Sequence, residues 1–238
     1  MRVPPSRALT LALAVVVASP AAAARPPLDV IVVVDTSGSM DEEVTQVQAG
    51  LNSFATILQN KGYDLHLILI ADATICAPAP LGSGNCIAGD QNLPGYRHVL
   101  LSVGSNDSLD RVLASYPQYS ASLRPGSRRV FLEVSDDESD VSPSTFTSQL
   151  IATDAGFAQF QFHAIVASVD PVCFPVANVC CPGPFPGTPV AAAEGVVYKQ
   201  LVIQTGGAFY DLCLQDFDPA WPEIAKAIAI FLDGFENP

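Results

Sequence analysis

The stretch Leu28-Asp29-Val30-Ile31-Val32-Val33-Val34 runs straight into Asp35-Thr36-Ser37-Gly38-Ser39-Met40. Its first half is almost continuously apolar, as a strand covered on both faces has to be. Its second half sets an acid and two serines at alternate positions, where that strand must turn. Beyond the turn, Val44, Val47, Leu51, Phe54 and Leu58 recur at steps of three and four, the spacing of one helical face. Asp41, Glu42 and Glu43 load the first turn of that helix, where its dipole favours acids, and Gly62 stops it.

The alternation continues along the chain. Strand-like runs cover 63–71, 97–103, 130–135, 160–169 and 208–214. Between them, helices are predicted from about Ser108 to Tyr116, from near Pro143 with Phe146, Leu150 and Ile151 on one face, and from Ala191 to Gln204 ahead of Gly206-Gly207. A last helix carries Trp221, Ile224, Ile228 and Phe231 on one stripe. Strands alternating with helices of this length predict an α/β fold: six strands in a mostly parallel, Rossmann-like sheet, with helices on both faces.

Arg2 and Arg7 precede an uncharged run from Ala8 to Ala18, then Ser19-Pro20 and four alanines ending at Ala24. This is the layout of a secretory signal, so residues 1–24 are expected to be removed and 25–238 to form one domain in a secreted, extracellular or periplasmic protein. No later stretch reads as a membrane span. The whole chain of 238 residues is 49% apolar and carries a net charge of −13, and signal cleavage would remove two basic residues and no acid. Such an acidic surface argues against nucleic-acid partners, whose binding rests on cationic side chains.

Six cysteines in an exported chain are read as disulfides. Cys76 and Cys86 bracket a Pro/Gly-rich loop and are expected to close it on itself, within an insertion near 72–95. Cys173, Cys180, Cys181 and Cys213 gather round a second insertion near 170–190, with the adjacent Cys180 and Cys181 reaching different partners. A structural zinc site is the rival reading for these four, although its usual paired spacing is missing.

In open parallel sheets, ligands bind beyond the carboxyl ends of the strands. Two places there concentrate acids and hydroxyls: Asp35-Thr36-Ser37-Gly38-Ser39, and Ser135-Asp136-Asp137-Glu138. Asp35, Ser37 and Ser39 can aim three oxygens at one point across a turn held open by Gly38, and Asp136 can arrive from a neighbouring strand. Oxygens of this kind suit a hard divalent cation. Capping of the next helix is the competing role, but it needs one such side chain rather than three. The remaining acids, Asp137, Glu138 and Asp140, either strengthen cation binding or form a solvated helix entry, and the solvated entry is the favoured reading.

The segment DVIVVVDTSGSM resembles the first motif of von Willebrand factor type A domains, in which Asp-x-Ser-x-Ser follows the first strand and forms a metal-ion-dependent adhesion site. The acid after the 130–134 strand matches that family's later aspartate, and KQLVIQTGGAFY (199–210) looks like its penultimate helix and final strand. The resemblance implies a metal site of Asp35, Ser37, Ser39 and Asp136 holding Mg²⁺, Ca²⁺ or Mn²⁺. It further implies a protein ligand whose carboxylate completes the coordination, as in cell adhesion.

One departure concerns the family's middle-loop threonine, which Gly104-Ser105-Asn106-Asp107-Ser108 lacks. Ungapped counting puts Asn106 there, with Ser105 and Ser108 close enough to substitute by hydroxyl. Asp107 is open to two roles, ligand or helix cap. The alternative function is therefore a metal-free interaction or structural domain with a degenerate site, recognising partners through its disulfide-held loops. No catalysis is expected. The position two after Asp35 is Ser37 rather than a second aspartate, and His66, His98 and His163 lie in strand-like runs away from any nucleophile pattern.

Overall fold

A computed structural model describes residues 25–86, 89–170, 178–180 and 191–236. The expected signal segment, Cys173, Cys181 and most of the second insertion lie outside them. The apolar run becomes β1 (Pro27–Val34), buried along nearly its whole length, and leads through a short 3-10 turn into α1 (Asp41–Asn60). There follow β2 (Asp64–Ala71), β3 (Gln91–Leu93), β4 (Tyr96–Leu100), α2 (Ser108–Ala114), the single turn α3 (Tyr116–Tyr119) and β5 (Arg128–Ser135). The chain continues with α4 (Pro143–Thr153), β6 (Gln161–Val166), β7 (Val169–Asp170), β8 (Asn178–Val179), α5 (Val196–Thr205), β9 (Phe209–Asp211) and α6 (Ala220–Glu236).

The protein is an α/β fold built on a seven-stranded sheet in the order β3-β4-β2-β1-β5-β6-β9. All neighbours pair in parallel except β3 with β4. Six strands were expected; the seventh, β3, is a three-residue antiparallel edge inside the first cysteine insertion, where Gly95 at φ 77° allows a hairpin too tight to show as an apolar run. β7 and β8 form a separate two-stranded ribbon.

Side-chain alternation along β1 explains the layers. Val30, Val32 and Val34 join one core with α1 and α6, while Ile31 and Val33 join another with α2, α4 and α5. α1 and α6 meet closely at Gly50: a Cβ there would overlap the Trp221 indole, so glycine is required by packing. Trp221, Ile224 and Ile228 are buried as their stripe predicted, and α6 runs on to Glu236 through most of the closing segment.

Several boundaries differ from expectation. The 97–103 strand ends at Leu100, because Leu101–Val103 crosses the top of the sheet: the Leu101 amide donates to Ala71 O, and the Thr36 amide to Val103 O. α5 starts at Val196 rather than Ala191, since the Ala192 and Ala193 amides are drawn to the Asp136 carbonyl, at 2.9 and 3.1 Å. Two disulfides join described residues, Cys76–Cys86 and Cys180–Cys213. The first closes the loop as its spacing suggested, and the second ties the second insertion to the chain just after β9. No described helix is long and apolar enough to cross a membrane.

Candidate metal centre

The parallel register brings the carboxyl ends of β1 and β5 side by side, Val34 opposite Val134. Asp35 and Asp136 follow from those ends, and both are fully buried. Asp35 is held from two sides: Oδ1 accepts the Ser37 amide at 2.8 Å, and Oδ2 accepts the Ser135 hydroxyl at 3.0 Å. Burial pushes its carboxyl above the ordinary range, and the bonds from Ser37 and Ser135 oppose that shift.

The two serines do not cap a helix. Ser37 precedes the 3-10 turn without a capping hydrogen bond, and α1 has no side-chain cap either. Their hydroxyls instead lie 3.2 Å from each other, near the surface. Gly38 has ordinary φ and open space around it, so the turn does not depend on glycine at that position.

Asp136 is the anomaly of the site. Neither carboxylate oxygen has a hydrogen-bond partner, although both are buried. Burial drives its pKa up to about 6; the Ser39 hydroxyl is close enough to counter this without meeting hydrogen-bond geometry, while Asp35, Glu43 and Asp137 add repulsion. An unpaired, buried carboxylate beside two hydroxyls that bond to each other rather than to it, and beside a second acid, is an unfavourable arrangement by itself. A hard cation relieves it by supplying the missing charge, and oxygen is its preferred donor. The residues present therefore fit a divalent ion held by Asp35, Ser37, Ser39 and Asp136. Among the described residues no three His, Cys, Asp or Glu side chains form a metal-holding group, so hydroxyls are essential to this donor set.

The middle loop is arranged differently from the rim pair. The Asn106 side-chain amide donates to Glu138 O at 2.8 Å, and the Asn106 carbonyl accepts the Asp140 amide. Asp107 is engaged twice, accepting the Gly104 amide and pairing with Arg111, both at 2.8 Å. Ser108 is fully buried and turned inward, where it influences the Glu133 carboxyl and the Tyr198 hydroxyl without hydrogen-bonding to either. The loop thus positions the rim through its backbone: Val103 O receives the Thr36 amide and hydroxyl, and the Val103 amide donates to the Thr36 hydroxyl.

Four residues around the site take parts that the sequence did not assign to them. Ser135 orients Asp35. Glu43, read as helix-dipole decoration, is 2% exposed, accepts from Gln215 and adds negative charge near Asp136. Glu138 is not merely solvated; its carboxylate receives the Val197 amide and caps α5. Glu133 is buried below the rim with both oxygens unpartnered, and burial holds its carboxyl well above the usual range. An acid inside an otherwise apolar strand was the visible signal for it.

The three histidines serve the scaffold. His66 pairs with Ser122 O, His98 with Cys86 and Ala71 O, and His163 accepts the Ala208 amide. The chain matches no protein-family model and no curated protein.

Proposed function

We propose that this is a secreted protein of von Willebrand factor A type that binds a divalent cation, Mg²⁺, Ca²⁺ or Mn²⁺, at Asp35, Ser37, Ser39 and Asp136. The ion serves to recognise a protein ligand, without catalysis. The observation that carries this reading is the buried, unpartnered carboxylate of Asp136 beside serine hydroxyls that cap nothing. Asp35 contributes negative charge and, through its bond from the Ser37 amide, fixes the turn that presents both hydroxyls. A bound ion would offer an open coordination position to a carboxylate of the partner. Two neutral hydroxyls among the ligands leave that ion electropositive, which is what attraction of an acidic group requires.

Calorimetric titration of Mg²⁺, Ca²⁺ and Mn²⁺ into the intact protein and into Asp35→Ala tests the reading. Saturable heat with one equivalent in the intact protein, lost in the variant, is expected. Equal and negligible heats in both would contradict it. They would leave recognition through the disulfide-held loops, which carry the Cys76–Cys86 and Cys180–Cys213 bridges.

A further inference from the structure

The Cys76–Cys86 disulfide has polar neighbours that a bridge serving only as a staple does not need. Cys86 is 4% exposed, whereas Cys76 keeps part of its surface in solvent. The Gln91 side-chain amide donates to Cys86 Sγ at 3.1 Å, and His98 Nδ1 lies 3.4 Å from the same sulfur. Ile75 O lies farther off, at 3.7 Å. In the other bridge Cys213 Sγ meets Ser168 O at 3.5 Å, and no side-chain nitrogen among the described residues hydrogen-bonds to either sulfur.

Both nitrogens are oriented by their other contacts. Gln91 Oε1 accepts the Ser83 amide at 3.0 Å, which turns Nε2 toward Cys86. His98 Nε2 donates to Ala71 O at 3.1 Å, and the tautomer this bond requires faces the sulfur with the lone pair of Nδ1. Burial keeps the ring neutral by lowering its pKa. The loop does not hang on the bridge alone. Gln48 Oε1 on α1 accepts the Cys76 amide at 2.6 Å, and Asn52 holds Pro78 O, Ala79 O and the Leu81 amide. Opening the bridge therefore leaves the loop anchored to α1.

We propose that Cys76–Cys86 is a thiol–disulfide exchange site, at which a low-molecular-weight thiol forms a mixed disulfide with Cys76 and frees Cys86 beside His98. The deprotonated thiol bonds to Cys76 Sγ; the bond between the two Sγ atoms breaks and its electron pair leaves on Cys86 Sγ. The proton given up by the thiol is taken back at His98 Nδ1, forming an imidazolium–thiolate pair that the Gln91 amide also stabilises. The incoming sulfur is oxidised and the Cys86 sulfur reduced, so no further reagent is needed. A leaving sulfur with a lowered pKa departs faster. Attack by Cys86 on Cys76 reverses the step, closes the bridge and expels the small thiol. Partial exposure of Cys76 suits a small thiol rather than the face of a protein.

Glutathione added to the folded, oxidised protein without denaturant tests this, on the parent and on His98→Gln. Iodoacetamide stops the reaction, and mass spectrometry maps both modifications. Glutamine keeps a donor for Ala71 O and removes the ring nitrogen beside the sulfur. Glutathione should appear on Cys76 and the alkyl group on Cys86, while Cys180–Cys213 stays closed. In His98→Gln the opening should be about ten-fold slower. Four results would overturn the proposal: glutathione on Cys86, opening of Cys180–Cys213 as fast as that of Cys76–Cys86, no opening of either, or equal rates in parent and variant. The position of the adduct is read on the parent alone, so a variant that fails to fold leaves the test decisive.

Discussion

Glu133 and Asp136 sit three residues apart on β5 and its exit, and both are buried without hydrogen-bond partners. They make opposite demands on the experimenter. Glu133 lies below the rim among Ser108 and Tyr198, where an ionised carboxylate is a cost with no visible return. Glu133→Gln is expected to stabilise the protein at neutral pH by about 1–3 kcal/mol, read from urea unfolding. A carboxyl with a raised folded pKa binds its proton more tightly in the folded state, so stability falls as pH climbs above the unfolded value. The gain from Glu133→Gln should accordingly shrink toward acid pH. For Asp136, whose carboxyl burial pushes up to about 6, protons would compete with the proposed cation. Divalent-ion affinity should be flat above that pH and fall by up to ten-fold per unit below it, measured by calorimetry across the range. Affinity unchanged down to pH 4.5 would remove Asp136 from the ligand set.

At the scale of elements, the strand–turn–helix at 28–58 was legible because burial on both faces, helical periodicity and acid placement all point the same way. The neighbouring carboxylate was legible for a similar reason: Asp136 follows another apolar run. The middle loop was not. Asn106 and Asp107 carry side chains that cap, bridge or ligate equally well, and their partners, Glu138 O, Gly104 and Arg111, are set only by tertiary contact. Nor does a three-residue edge strand such as β3 leave a periodic signal. Packing between α1 and α6 was likewise hidden, since the apolar stripe of α6 does not reveal which residue faces Trp221. Gly50→Ala is expected to destabilise by about 1–3 kcal/mol by driving a methyl group into that indole, with the midpoint of urea unfolding as readout. A midpoint unchanged from the parent would mean that the two helices meet less closely than described.

For the whole molecule, charge and proton binding set the working conditions. His163 is buried neutral, its pKa lowered to about 3, so the unfolded chain takes up a proton that the folded one refuses. Between that value and the ordinary range of histidine, stability rises with pH. Asp136 contributes the reverse slope between about pH 4 and 6 in protein without a bound ion. Asp136→Asn should therefore expose a steeper rise in stability over this interval than the parent shows in EDTA, measured by urea unfolding at fixed pH steps. The proposed ion site lies at the carboxyl ends of the central strands β1 and β5, where Asp35, Ser37, Ser39 and Asp136 would meet the cation. Mn²⁺ titration followed by electron paramagnetic resonance, on the intact protein and on the Ser37→Ala/Ser39→Ala double variant, tests that most directly. The account predicts one bound Mn²⁺ per chain in the intact protein and at least a ten-fold weaker site in the variant. Equal binding in both, or none in the folded parent, would contradict it.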